Sequence, residues 1–189
     1  MFGPLEDRLS QTISTMERNC DKMLYLLNDL LDVSAIESGR LSLVKKPVNL
    51  EVFLTACVES YRILAKNKSI QLVLEKTPSL PQGYFDPDRI EQVLNNLITN
   101  AIKFSLPGTA IQIHAEGDSN HISISVTDQG PGIPRDELSH LFTPFPQISV
   151  KPTQGEKSTG LGLAIAKKII DTHNGTITVQ SQVGQGTTF

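Results

Sequence analysis

Asn96, Asn100 and Lys103 stand at i, i+4 and i+7 in the stretch DPDRIEQVLNNLITNAIKF. On a helix they share one face. Asparagine costs about half a kcal/mol or more relative to alanine in a helix interior. Asn95, Asn96 and Asn100 together therefore need a reason. One reason is a solvated face, which suits Asn95. The other is a site. A carboxamide oxygen is a neutral hard ligand for Mg²⁺, an ion that keeps several waters and takes phosphate oxygens as its other partners. A lysine one turn on adds positive charge for phosphate. The helix alone leaves both readings open.

Two glycine stretches add to it. In VTDQGPGIP, Asp128 closes an apolar run, and Gly130 and Gly132 follow at alternate positions. A carboxylate held at the end of a strand accepts hydrogen bonds and suits the exocyclic amine of adenine. It repels the carbonyl oxygen that guanine carries at that place. The glycines permit a tight turn and close backbone approach to a base. In STGLGLAIAKKIIDTHNG, Gly160 and Gly162 flank Leu161 directly before a helical pattern. Such a turn presents unpaired N–H groups and a positive dipole, which suits phosphate. The stretch lacks the Gly-Lys-Ser/Thr of a Walker loop and the preceding strand of a Rossmann fingerprint. Between the two stretches lie nearly thirty residues with few regular signals, a length that suits a lid. Lys151 and Lys157 near its end are candidate phosphate contacts or plain solvated lysines.

The elements that must position these residues follow from periodicity. Asp86-Pro87-Asp88 is a helix start: Asp86 caps, Pro87 suits the first helical position and Asp88 meets the positive dipole end. The helix runs to Phe104, with Ile90, Val93, Leu94, Leu97, Ala101 and Phe104 as its apolar face. AIQIHAE from Ala110 and HISISVT from His121 alternate and are joined by GDSN, a hairpin signal. Leu50 to Ala65 reads as a helix, Ser69 to Glu75 as a strand and PSLPQG as a loop. A last helix covers Leu163 to Thr172, HNG turns it into a strand TITVQS, and GTTF begins another. This order predicts an α+β fold, a two-layer α/β sandwich with a mixed, mostly antiparallel sheet and helices on one face. Before it, Leu9, Ile13, Met16, Cys20, Met23, Leu27 and Leu30 recur at alternating spacings of four and three, an a/d seam. Leu24, Leu26 and Leu31 widen it, which suits a long bundle or coiled-coil helix that Gly39 caps. The expected division is 1–47 and 48–189.

The 189 residues, 39% hydrophobic and 20% charged, suit a globular protein. A net charge of −3 implies no general attraction to nucleic acid or to an anionic membrane. No apolar stretch approaches a membrane span, and the default location is the cytoplasm. Cys20 and Cys57 lack metal-ligand spacing and read as buried free thiols at apolar helix positions.

Taken together, the stretches resemble the catalytic ATP-binding domain of sensor histidine kinases of two-component systems, in the wider GHKL group with gyrase, Hsp90 and MutL. NNLITNAIKF resembles the N box, DQGPGIP the first glycine box, LFTPF the phenylalanine box, STGLGLA the second glycine box and GQGTTF the short glycine-threonine box. LLNDLLDVSAIESGRL resembles the second helix of the dimerisation and phosphotransfer bundle. The resemblance implies ATP and Mg²⁺, with Asn100 as the Mg²⁺ ligand, Asn96 beside the phosphates, Lys103 on phosphate and Phe104 in the pocket. It implies that Asp128 binds the adenine amine and that Gly130, Gly132, Gly160 and Gly162 shape pocket and lid. It also places Ile133, Thr159, Leu161, Leu163 and Thr187 at the nucleotide. Phe142 and Phe145 would anchor the lid.

One departure stands out. The family's phosphorylated histidine, with its neighbouring carboxylate, sits on a first bundle helix, and no such stretch is present. His114, His121, His140 and His173 all read as surface or satisfied residues. The expectation is an ATP-binding part of a longer kinase, with its last strand cut, that does not phosphorylate itself. In the full protein it would form a homodimer through the N-terminal helix and pass phosphate to a response-regulator receiver domain. The alternatives are a GHKL-type ATPase or chaperone, whose water-activating glutamate is replaced here by Asn96, and a non-catalytic dimerisation or docking module.

Overall fold

The structure, a computed structural model, describes residues 42–189 except 77–79, 119 and 157, together with positions 9, 10, 12, 13, 15, 16, 19, 20, 23, 24, 27 and 31. The chain divides into two units, Met1–Leu41 and Ser42–Phe189. In the first, every described position is helical. Leu9, Ile13, Met16, Met23, Leu24, Leu27 and Leu31 are all exposed. Cys20 lies on the same stripe and is exposed as well, contrary to the expectation of a buried thiol. The described positions of the seam are thus exposed. Leu26, Leu30, Gly39 and Lys157 lie outside the described residues.

The second unit contains a five-stranded sheet. Its strands are β2 (Gln71–Lys76), β4 (Ala110–Gly117), β5 (Ile122–Asp128), β6 (Gln180–Gln182) and β7 (Gly186–Thr188), in the order β2-β4-β5-β7-β6. Only β2 and β4 run parallel. Along β4, Ile111, Ile113 and Ala115 are fully buried while Gln112 is exposed, so the sheet buries one face. Three helices build the second layer: α1 (Leu50–Asn67), α2 (Pro87–Phe104) and α3 (Gly162–Thr172). Helix α2 is central, lying against α1, α3 and β5. It buries Ile98 and Ile102 in addition to the expected Val93, Leu94, Leu97 and Ala101, whereas Ile90 and Phe104 stay half-buried. Each such fully buried aliphatic side chain contributes about 1.5–3 kcal/mol.

The start of α2 forms as its residues dictate. Asp86 Oδ1 accepts from the Arg89 N–H at 3.2 Å, and Pro87 occupies the first turn. Asp86 Oδ2 accepts from the Val44 N–H at 2.8 Å. His173, at the end of α3, accepts the Asp86 N–H at Nε2 (3.1 Å), and its Nδ1 lies 2.8 Å from the Ile169 carbonyl oxygen. That pair assigns the proton to Nδ1 and makes His173 a structural residue.

Three expectations change. The loop expected over PSLPQG gives way at Gln82 to β3 (Gln82–Phe85), which pairs antiparallel with β1 (Lys46–Asn49), a strand not expected from the sequence, apart from the main sheet. Strand β2 starts at Gln71 rather than Ser69, because Ser69 turns the chain with φ 57°. In TITVQS, the alternation of half-buried Ile177, Val179 and Ser181 persists, but the ladder begins only at Gln180. Its partner β7 has three residues, Gly186–Thr188, and the backbone of Phe189 continues the pairing to Val126 of β5.

Candidate functional site

The C-terminal half of α2, the end of β5, β7 and the start of α3 meet around a cavity of about 400 Å³. From α2, Asn96, Asn100, Lys103 and Phe104 line it. The helical face read from i, i+4, i+7 spacing therefore faces the cavity. Asn96 is tied down: its Nδ2 donates to the Gly162 carbonyl at 3.0 Å, fixing the start of α3 to α2. Asn100 is half-buried, and among the described residues its carboxamide has no hydrogen-bond partner. A single neutral oxygen of this kind fits Mg²⁺, which takes its remaining ligands from water and phosphate. No cluster of three or more His, Cys, Asp or Glu residues is present among the described residues, so an all-protein cage for a metal is not formed by them.

Asp128 is the last residue of β5 and is 6% exposed. Its Oδ1 accepts from the Gly130 N–H at 2.8 Å and from the Thr187 N–H at 3.3 Å. Its Oδ2 takes no partner among the described residues and borders the cavity. Burial raises the carboxyl above the ordinary aspartate value of 3.8, and the two N–H groups offset only part of that. The result is a rigid, desolvated acceptor with one oxygen free for a ligand's donor. Thr187 faces Asp128 across the β5–β7 pairing, and its Oγ1 lies 2.9 Å from Ser181 Oγ. Ser181 Oγ in turn accepts from the Ile133 N–H at 2.9 Å, so the turn after β5 is stitched to β6.

The glycines have separate reasons. Gly132 has φ +70°, and a Cβ there would stand 2.0 Å from the Gln182 carbonyl oxygen. The turn cannot form with a side chain at this position. Gly130 does not line the cavity; its contribution is the amide that holds Asp128. At the second stretch, Gly160, Gly162, Leu163 and Thr159 line the cavity. Leu161 does not: its side chain is 2% exposed and packed in the core. No side chain caps α3, and its first turn carries no acidic residue. Its first N–H groups are therefore uncapped beside the cavity wall that Gly162 and Leu163 line, at the positive end of the dipole.

The long segment from Gln129 to Thr159 forms one 3-10 turn, Leu138–His140, and otherwise irregular backbone among the described residues. It closes one side of the cavity with Leu141, Phe145, Pro146, Ile148, Val150 and Pro152. Phe145 is 64% exposed and Phe142 stacks edge-on to Phe189 at 6.3 Å, so the two phenylalanines do different things. Lys151 is exposed and does not line the cavity, which favours its reading as a solvated lysine. Thr99, Ile148, Val150 and Phe189 were missed from the sequence. Thr99 stands at i+3 from Asn96, and Ile148, Val150 and Pro152 alternate, so both had a periodic signal.

The lining combines a buried acceptor, Asp128, with an asparagine, a lysine and a helix N-terminus. That is the arrangement a purine nucleotide with a phosphate chain requires. Residues 85–189 match the family described as histidine kinase-, DNA gyrase B- and HSP90-like ATPases. The chain belongs to this ATP-binding family. It is 35% identical over its whole length to the circadian input-output histidine kinase CikA of Synechococcus elongatus, of which it covers 25%. It is 35% identical over 97% of its length to the sensor histidine kinase RcsC of Escherichia coli, covering 19% of that protein. Among solved structures, full-length ShkA in complex with AMPPNP superposes with a TM-score of 0.82 at 29% identity, covering 95% of this chain and 37% of that one. The chain thus spans about a quarter or less of the length of these curated relatives.

Proposed function

We propose that this chain is the ATP-binding catalytic part of a sensor histidine kinase. The observation that carries the reading is the Asp128 carboxylate, buried at the end of β5 with one oxygen bordering the cavity. The adenine amine donates to that oxygen, and the β7 backbone and Thr187 close the base end. Lys103 and the open N–H groups of α3 neutralise the phosphates, and Asn100 supplies the single protein ligand to Mg²⁺. An Mg²⁺ ion held by Asn100 would supply charge neutralisation for the phosphates during transfer. The protein's own work is positioning and charge neutralisation, since phosphoryl transfer needs little else.

The acceptor is a histidine nitrogen outside the four histidines of this chain. His173 is committed to the Asp86 N–H, and none of the four lies on the N-terminal helix. The exposed seam of that helix supports assembly into a homodimer. Onward transfer to an aspartate of a response-regulator receiver domain in the cytoplasm completes this reading, and the likeness to histidine kinases supports its kinase step. No helix among the described residues is long and apolar enough to cross a membrane. Hydrolysis is disfavoured because Asn96 stands where the ATPases of the group carry a glutamate base, and its amide is engaged with Gly162. Incubation with γ-labelled ATP tests the reading. No phosphohistidine forms on this chain alone, and it forms on a dimeric four-helix bundle bearing a phosphorylatable histidine supplied in trans. Stoichiometric phosphohistidine on this chain, or steady release of free phosphate with no transfer, would overturn it.

A further inference from the structure

Lys68, the residue after α1, is 5% exposed although it is a lysine. Its Nζ donates to the Ile102 carbonyl at 2.8 Å, to the Lys103 carbonyl at 2.7 Å and to Glu156 Oε1 at 2.6 Å. An ammonium has three donors, and here each has an acceptor. Two of those acceptors are terminal carbonyls of α2, which lack partners within the helix, and a cation is favoured at that end of the dipole. The third belongs to the long segment that closes the cavity. The same segment is tied to the same place by Thr153, whose N–H donates to the Lys103 carbonyl and whose Oγ1 donates to the Ser105 carbonyl at 2.8 Å. Burial pushes the Glu156 carboxyl up, but the Lys68 hydrogen bond and nearby N–H groups outweigh it and leave it below the ordinary value. Lys68 itself does not reach the cavity.

We propose that Lys68 is a positioning residue for the nucleotide site: it clamps the cavity-closing segment at Glu156 to the end of α2 that carries Lys103 and Phe104. The role rests on the nucleotide reading above. Through this clamp Pro152, Ser158 and Thr159 are held at the cavity wall, and the Lys103 backbone is fixed from two sides. Charge-assisted bonds of this kind, here with the lysine end buried, are the strong ones, and breaking one partner leaves the other uncompensated.

Hydrogen exchange of the full chain, paired with ATP titration, tests this. In Glu156→Gln and Lys68→Met, exchange of the Thr153 amide rises about tenfold or more, the scale of one charge-assisted hydrogen bond. The Ile113 amide in β4 keeps its protection and reports that the sheet is intact. ATP affinity falls at least about threefold in both variants, and propylammonium restores it in Lys68→Ala but not in Glu156→Gln. Glu156→Gln keeps the lysine on its two carbonyls, so it remains informative if the Lys68 variants fail to fold. Wild-type exchange at Thr153 in Glu156→Gln overturns the clamp. Faster exchange with unchanged ATP affinity overturns its positioning role. A wild-type chain that binds no ATP overturns the nucleotide reading instead, and the exchange measurement still decides whether the clamp exists.

Discussion

Asp128→Asn tests the base end of the site most sharply. The substitution conserves shape. The carboxamide oxygen can remain where Oδ1 accepts from Gly130 and Thr187, at 2.8 and 3.3 Å. The NH₂ group then takes the place of Oδ2, which borders the cavity. A donor there faces the donor of the adenine amine. The lost term is one hydrogen bond to a charged acceptor, about 1.5–3 kcal/mol. At 1.4 kcal/mol per tenfold, ATP affinity drops roughly 10- to 150-fold. Preference over GTP narrows or inverts, because a carboxamide NH₂ can donate to the guanine carbonyl. The unliganded fold does not weaken, since burial opposes the Asp128 charge. Calorimetric titration with ATP and GTP reads the first two effects, and thermal unfolding followed by circular dichroism reads the third. Unchanged ATP affinity in a natively folded variant refutes the assignment.

The same carboxyl sets a pH dependence with two opposite signs. Its folded-state value lies above the ordinary 3.8, so the folded protein holds this proton more tightly than the unfolded chain. Its contribution to stability is present at acid pH and is lost as pH rises through the raised value; in Asp128→Asn that slope flattens. ATP affinity goes the other way and weakens as pH falls through the same window, because the protonated carboxyl stops being a pure acceptor. Gly132→Ala places a Cβ 2.0 Å from the Gln182 carbonyl oxygen at φ +70°, costing at least about 2 kcal/mol and lowering the melting temperature by roughly 4–8 °C. Asn100→Ala removes the carboxamide that faces the phosphate end: Mg²⁺ then no longer strengthens ATP binding, while binding without the ion changes less than about threefold.

Where local chemistry decides, the sequence was a good guide. Asp86-Pro87-Asp88 predicts the start of α2 because cap, ring and charge all act within one turn. The hairpin of β4 and β5 follows from alternation plus a turn, where Asp118 Oδ1 accepts from the N–H groups of Asn120 and His121. The helical face of Asn96, Asn100 and Lys103 was legible because i, i+4, i+7 is a rigid geometric relation. What was hidden is non-local. Strands β1 and β3 have four residues each, contain Pro47 and Gly83, and exist only because they find each other. Leu161 sits between two glycines of a phosphate-type turn, yet its apolar side chain turns into the core. Cys20 occupies an apolar helical position, and periodicity alone cannot say whether another chain covers it. Lys68 looks like an ordinary solvated lysine until α2 and Glu156 arrive from 34 and 88 residues away.

The central claim is that this cavity selects Mg-ATP. Calorimetric titration of the chain with ATP and GTP, with and without Mg²⁺, addresses it most directly. The account predicts one saturable site per chain, selective for ATP and strengthened by Mg²⁺. Equal affinity for GTP, or no nucleotide binding by the folded chain under any of the four conditions, would contradict it.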